Sequence, residues 1–325
     1  MTKAIRIYET GAPEVMKWEE IDLPAPGEGQ IRVRQTAIGV NFIDTYFRDG
    51  TYPAPSFPFT PGKEGAGIVD AVGAGVSDLK EGDRVAYAAA DGSYAEELII
   101  EAAKVVPIPD GVSDETAAGM MLKGMTAEYL LNRTFKVARD TTLLFHAAAG
   151  GVGLIAGQWA RHLGATVIGT AGSPEKCELA KANGYDHVIN YREEDFVERV
   201  ADLTDGKKCD VVYDSVGKDT FEGSLDCVKR LGMIVTFGQS SGVVPPVSTG
   251  VLNKKGSLFL TRPSLFNYTA TREELLDCAK NLFSMVKSGA VKIEIGQTYP
   301  LSEAVQAHRD LQGRKTTGTT ILTIG

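Results

Sequence analysis

The chain has 325 residues, of which 43% are hydrophobic and 23% charged, with a formal net charge of −8. This length predicts two domains, each able to bury its own core, and the acidic balance argues against nucleic acid or an anionic membrane as partner. No apolar run reaches the ~18 residues of a membrane span, so membrane insertion is not expected. The four cysteines, Cys177, Cys209, Cys227 and Cys278, form no Cys-x-x-Cys pair, so neither disulfides nor a zinc lobe are expected and a cytoplasmic, reducing setting is.

Up to about Pro109 the pattern is of short strands joined by Gly/Pro turns: "IRVRQTAIGV", "AGIVDAVG", "GDRVAYA", "SYAEELII" and "KVVPIP". Such spacing predicts an antiparallel, barrel-like β unit. Four prolines between Thr51 and Gly62 mark an extended loop. A helix is expected from Ser113, an N-cap followed by Asp114 and Glu115. Strands and helices then alternate: "TTLLFHA", "GLIAGQWARHLG", "TVIGT", "SPEKCELAKANG", "DHVIN", "CDVVYDSVG", "MIVTFG" and "GSLFLT", with helices around Phe196 and Phe221. Alternation of this kind implies a parallel sheet covered on both faces. Helices from Thr271 and Ser302 and a last strand "GTTILTI" are expected to return to the first domain. The domains predicted are 1–125, completed by 262–325, and 126–261.

Between the first strand and helix of the α/β part, Ala148, Gly150 and Gly153 fill the three small positions of G-x-G-x-x-G. The chain there must turn tightly, approach a pyrophosphate with bare backbone and pack a helix closely on the sheet. The helix N-terminus adds free N–H groups and a favourable dipole. The strand–loop–helix context makes this a dinucleotide site rather than simple close packing. A site for NAD places an acid about 20 residues on, to hold the ribose 2′-hydroxyl. Here the segment from Gly169 reads "GTAGSPEK", with no carboxylate before Glu175. Ser173, Lys176 and Tyr191 would suit a 2′-phosphate, which predicts NADPH.

Taken together these motifs, with "GAPEVM", "AIGVNFIDTYFRDGTYP", "PGKEGAGIV", "GVSDLKEGDRVAY", "INYREED", "VVYDSVG" and "TRPSL", resemble a zinc-free quinone oxidoreductase of the zeta-crystallin-like branch of the medium-chain dehydrogenase/reductase superfamily. The zinc alcohol dehydrogenases of that superfamily carry a ligand Cys near the residue that is Asn41 here, and a Gly-His-Glu motif that reads Gly62-Lys63-Glu64. The fold the resemblance implies is α/β: a GroES-like β-barrel catalytic domain plus a Rossmann doubly wound parallel sheet binding NADPH. A homodimer through the sheet edge "GSLFLT" is implied as well.

By the same resemblance Asn41, Phe42 and Ile43 would meet the cofactor, and Asn41, Tyr46 and Tyr52 would serve the acceptor. Thr126, Gly150, Gly151, Val152, Gly172, Ser173, Lys176 and Tyr191 would bind NADPH. Ser215, Phe237, Gly238, Ser240, Thr261 and Arg262 would complete its site, with Arg314 a further basic candidate.

The chemistry expected is hydride transfer from nicotinamide to a quinone, with Asn41, Tyr46 or Tyr52 as hydrogen-bond donor to the developing oxyanion. Two readings compete with it: reduction of an enone or alkenal double bond, and a non-catalytic NADPH-binding crystallin-like or regulatory protein. The short-chain dehydrogenase class is excluded, because none of the eleven tyrosines has Lys four residues later. The match "GQSSG" to G-x-S-x-G is expected to be a loop, because Pro245-Pro246 forbids the helix that a nucleophile elbow requires.

Overall fold

A computed structural model describes residues 1–54, 56–88 and 90–325. Pro55, one of the four prolines of the extended loop, lies outside the described residues. The chain divides into two compact units. The first comprises Met1–Met125, Thr269–Lys287 and Ile293–Gly325; the second comprises Thr126–Tyr268 and Ser288–Lys292. The second unit thus runs past Thr261 to Tyr268 and includes a short return segment that the sequence did not mark.

The first unit opens with a two-stranded antiparallel sheet, β1 (Thr2–Arg6) and β2 (Lys17–Ile21). The long strand β3 (Gln30–Val40) follows, and then a helix, α1 (Phe42–Asp49), which the strand-and-turn pattern did not announce. Next come β4 (Glu64–Val72), β5 (Arg84–Ala88), β6 (Glu97–Glu101), β7 (Val105–Pro107) and α2 (Asp114–Tyr129), which passes from the first unit into the second at Thr126. The first half of β3 pairs with β6, while β4 runs antiparallel along nearly all of it. Register shifts at Arg32/Val33 and Gln35/Ala37 bend the strand between these partners, as bulges do. Ile31, Val33, Val69, Val85, Tyr87 and Leu98 fill the interior.

The second unit holds six parallel strands: β8 (Thr142–Phe145), β9 (Thr166–Ala171), β10 (His187–Asn190), β11 (Cys209–Asp214), β12 (Val228–Thr236) and β13 (Phe259–Thr261). Their order is β10-β9-β8-β11-β12-β13, the doubly wound arrangement with its switch point between β8 and β11. The helices are α3 (Gly151–His162), α4 (Pro174–Ala182), α5 (Phe196–Leu203), α6 (Phe221–Cys227), α7 (Thr249–Lys254) and α8 (Leu265–Tyr268). One residue from each of five strands, Leu144, Ile168, Ile189, Val212 and Ile234, points to a single face and packs with Val200 of α5 and Phe221 and Leu225 of α6. On the other face Gly157 and Gly169 allow α3 to settle on the sheet: a Cβ on either would collide with the Tyr185 ring.

The chain then returns through α9 (Arg272–Lys287), β14 (Ile295–Pro300), α10 (Ala304–Gln312) and β15 (Thr319–Thr323). In the first unit β15 pairs antiparallel with the second half of β3, and β14 lies beside it in parallel. Leu301, Ala304, Ala307 and Leu322 bury themselves with Ile5, Ile7, Ile38 and Val40. Removing this apolar surface from water is what closes the tail onto the N-terminal strands.

Candidate active site

In the second unit the candidate cofactor residues gather at the carboxyl ends of the parallel strands. Gly150 caps α3 directly after β8 with extended backbone (φ −80°, ψ 170°), and its N–H is held at 2.9 Å by the Ala147 carbonyl. A Cβ on Gly150 would meet the protein only at Ala147 O, 3.1 Å away, so this edge of the loop stays open toward a ligand. Gly153 is glycine for the opposite reason: its Cβ would fall 2.5 Å from Ala147 O and 2.6 Å from Ala148 O. Gly150, Gly151 and Val152 are half-buried, and a helix N-terminus such as that of α3 offers free N–H groups to an anion.

After β9, Ser173 is the N-cap of α4, with Pro174 at the first helical position. Ser173 Oγ accepts the Lys176 N–H at 3.4 Å. Tyr191 follows β10; its N–H bonds Ala171 O at 3.1 Å, and its half-exposed ring lies against Gly172. Gly172, Ser173, Lys176 and Tyr191 are thereby brought together by strand pairing. After β11 and β12, Ser240 N–H donates to Ser215 O (3.2 Å) and Phe237 N–H to Asp214 O (2.8 Å). Arg262, just past Thr261 at the end of β13, donates to Gly238 O (2.8 Å). The "GQSSG" segment is this loop, and no helix follows it until Thr249. Thr126 lies buried on α2.

Directly under the glycine loop is a cluster not read from the sequence. Buried His146 contacts Thr170 Oγ1 at 2.9 Å through Nδ1 and Ser224 Oγ at 3.0 Å through Nε2. Burial lowers its pKa, against the opposing pull of Asp214. The Asp214 carboxylate receives two backbone N–H groups, from Val216 and Gly217, and the hydroxyls of Thr220 and Ser224. This network fixes the ends of β8, β9 and β11. The signal available in the sequence was a polar residue at or next to the end of each strand, which periodicity alone does not connect.

In the first unit Asn41 is the N-cap of α1, and Asp44 reaches back to its backbone N–H at 2.8 Å in a capping box. An Asn followed three residues later by Asp, with Gly50 at φ 86° beyond the end, is a helix signature carried by the sequence itself. The Asn41 amide nitrogen donates to Glu64 Oε2 (2.8 Å) and Gly39 O (3.3 Å). In this arrangement Asn41 is a buried cap whose amide nitrogen has two protein acceptors. Glu64, fully buried, also accepts the Lys123 ammonium at 2.8 Å and the Leu122 N–H at 2.7 Å. Gly39 must lack a side chain, since its Cβ would run into this carboxylate and the Ala118 carbonyl.

On α1, Phe42 and Ile43 are half-buried and Tyr46 is 8% exposed. Tyr46 packs against Phe42 (5.6 Å between ring centroids) and Tyr52 (5.1 Å), and Phe47 packs against Tyr52 (5.6 Å). The Tyr52 N–H donates to Tyr46 O at 2.9 Å, which fixes the two tyrosines to each other. Lys63 closes the group, its ammonium 4.3 Å from the centre of the Phe47 ring and ion-paired with Asp91. Arg314 sits in a left-handed turn (φ 58°) before β15.

A zinc ion does not suit this donor set. The Asn41 amide nitrogen has protein acceptors, Glu64 is neutralised by Lys123, and Lys63 brings a second ammonium where an imidazole would be needed. Among the described residues no group of three or more His, Cys, Asp and Glu could hold a metal.

A doubly wound sheet with a glycine loop opening its first helix, joined to an antiparallel β unit, defines a two-domain nucleotide-dependent dehydrogenase or reductase. Comparison with known proteins narrows the class. Residues 27–110 match the family model of the alcohol dehydrogenase GroES-like domain, and residues 151–281 match that of the zinc-binding dehydrogenases. A quinone oxidoreductase of Pseudomonas aeruginosa is 51% identical, covering 99% of each chain. A solved structure of Escherichia coli quinone oxidoreductase complexed with NADPH superposes with a TM-score of 0.97 at 51% identity, over 99% of each chain. A 2-haloacrylate reductase of Burkholderia is 46% identical, again over 99% of each. The chain belongs to the zinc-free quinone oxidoreductase branch of the medium-chain dehydrogenase/reductase superfamily.

Proposed function

We propose that this chain catalyses the NADPH-dependent, zinc-independent reduction of quinones. The observation that carries the reading is the aromatic group Phe42, Tyr46, Phe47 and Tyr52, built beside a donor set unsuited to zinc. A flat, electron-poor acceptor stacks on such rings, and a quinone becomes an aromatic hydroquinone on reduction, so it needs no metal Lewis acid. NADPH supplies the hydride when bound.

The protein's own part is binding, orientation and polarity. Residues 126–261 are assigned to the cofactor and 1–125 with 262–325 to the acceptor. The N-terminus of α3, with Gly150, Gly151 and Val152, holds the pyrophosphate. Gly172, Ser173, Lys176 and Tyr191 hold the adenosine 2′-phosphate, and Thr126, Ser215, Phe237, Gly238, Ser240, Thr261 and Arg262 line the rest; Asn41, Phe42 and Ile43, at the start of α1, are the cofactor candidates of the first unit. Asn41, Tyr46 or Tyr52 supplies the hydrogen bond to the developing oxyanion.

Reduction of an activated double bond is the second reading, favoured by the 46% identity to a 2-haloacrylate reductase. Following NADPH absorbance with 1,4-benzoquinone and, separately, a simple enone distinguishes the two. Chelator-resistant turnover of the quinone, with NADH much poorer, is expected. Turnover of the enone alone would move the assignment to the double bond, and tight NADPH binding without turnover would favour a binding protein.

We further assign a homodimer across β13, which ends the sheet order and leaves Phe259 59% exposed; light scattering of the purified chain tests it. A cytoplasmic setting is supported by four buried thiols, which a reducing compartment preserves. Among the described residues no helix is long and apolar enough to cross a membrane.

A further inference from the structure

Three side chains unused by the hydride-transfer reading meet beneath the N-terminus of α1. Asp44 Oδ2 accepts the Asn41 backbone N–H at 2.8 Å and the Tyr94 hydroxyl at 3.1 Å. Tyr94 Oη lies 2.9 Å from His308 Nε2. With its one proton given to the carboxylate, the Tyr94 oxygen accepts from His308, which sets the imidazole as the Nε2–H tautomer. The hydrogen bonds therefore run one way, from His308 through Tyr94 to Asp44, and end on the backbone of the residue that caps α1. All three side chains are at most 1% exposed, and Asp44 Oδ1 and His308 Nδ1 are buried without a hydrogen-bond partner.

Capping alone does not explain this construction. An exposed Asp or Ser would cap the helix as well, whereas burying a carboxylate and an imidazole with half their polar atoms unmatched is costly. The elements so tied are those that carry the aromatic acceptor wall: α1 holds Phe42, Tyr46 and Phe47, and Tyr46 holds Tyr52 through its carbonyl.

We propose that Asp44 is a positioning residue for acceptor reduction: with Tyr94 and His308 it holds the N-terminal end of α1, and so the Tyr46 and Tyr52 rings, in the arrangement that receives the acceptor, and its protonation loosens that hold. The inference rests on the reading that these tyrosines face the acceptor. Burial raises the Asp44 carboxyl to about 7, despite the Asn41 N–H, the Tyr94 hydroxyl and the Lys123 and Lys63 ammonium groups, which all pull it down. Arg48 of α1 and Glu64 of β4 are the other charged groups around the chain and act on Tyr94 in opposite directions. His308 is held neutral by burial, with Arg48 adding to the effect.

The test is kcat and KM for NADPH and 1,4-benzoquinone from about pH 5 to about pH 9 on the full chain, for wild type, Asp44→Asn, Asp44→Glu and Tyr94→Phe. Wild-type kcat is expected to fall toward acid through an ionisation near neutrality. Tyr94→Phe removes a donor to the charged carboxylate and should move that ionisation up by about half a unit or more. Asp44→Asn should abolish the ionisation and lower kcat several-fold, and Asp44→Glu should restore a titration. Variants that keep the wild-type profile and kcat would overturn the inference. If Asp44→Asn does not fold, Tyr94→Phe, which loses a single oxygen, decides in the same way. A wild-type chain that reduces neither quinone nor enone would instead overturn the functional reading, and this inference with it.

Discussion

The backbone of Gly172 lies against the ring of Tyr191: a Cβ built on Gly172 would come within 2.5 Å of the Tyr191 hydroxyl. Strand pairing creates this contact, because β10 runs beside β9 and the Tyr191 N–H bonds Ala171 O. The ring therefore stands at the mouth of the candidate 2′-phosphate site. Gly172→Ala should displace it and raise the Kd for NADPH roughly tenfold, as loss of ~1.4 kcal/mol would. Fluorescence titration with NADPH measures this; a Kd equal to wild type would place Tyr191 outside the site.

Lys176 lies on the first turn of α4, beside the Ser173 cap. A hydrogen bond from an ammonium to a phosphate contributes about 1.5–3 kcal/mol, so Lys176→Ala should reduce kcat/KM for NADPH by roughly ten- to a hundredfold while leaving NADH unaffected. Equal losses with the two cofactors would show that Lys176 does not read the 2′-phosphate. Ser173→Ala would additionally cost about 1 kcal/mol of stability through the lost cap, visible as a lower Tm.

Asp44 and His308 should give stability opposite pH dependences. Asp44 titrates at about 7 in the folded chain against a reference of 3.8. In that window the folded state keeps a proton that the unfolded state has lost, so stability falls as pH rises and stays lower above about 7. His308 titrates at about 3 against 6.5; there the unfolded state holds the extra proton, and stability is lost as pH falls below about 6.5. Relative to wild type, Asp44→Asn should therefore gain roughly 2–4 kcal/mol on going from about pH 5 to about pH 8. His308→Gln should change in the opposite direction. Urea unfolding at the two pH values checks both signs, and parallel offsets for the two variants would contradict them.

Glu64 and Lys123 form a buried pair at 2.8 Å, with side-chain exposures of 0% and 7%. Lys123→Met strands a carboxylate that retains only the Asn41 amide and the Leu122 N–H, and should cost about 3–5 kcal/mol. Adding Glu64→Gln to it removes the buried charge and should recover much of that loss. Denaturation midpoints of Lys123→Met, Glu64→Gln and the double variant measure the coupling; simple additivity would mean that the ion pair is not what fills this part of the core.

Much of the fold was legible because it is written in short stretches. The Ala148–Gly153 loop, the Ser173 cap with Pro174 behind it, and the positive-φ Gly184 after α4 each express a steric demand on a few adjacent residues. The near-continuous apolar strands of the second unit follow from burial on both faces of a parallel sheet. α1 was missed although its cap and terminal glycine were in view, because eight residues following a long β3 do not form a period long enough to stand out.

The class of cofactor and the order of the elements are locally encoded, since they rest on local backbone geometry and on the residue types that a strand–loop–helix turn can carry. The groups that Asn41 bonds are visible only once the chain is folded. Its partners, Glu64 and through it Lys123, lie 23 and a further 59 positions along the chain, while Asp44 meets Tyr94 across a separation of 50 and Tyr94 meets His308 across a further 214. Such pairings are set by which buried polar groups the closed β unit brings within hydrogen-bonding distance once water is excluded, and no local pattern encodes that choice.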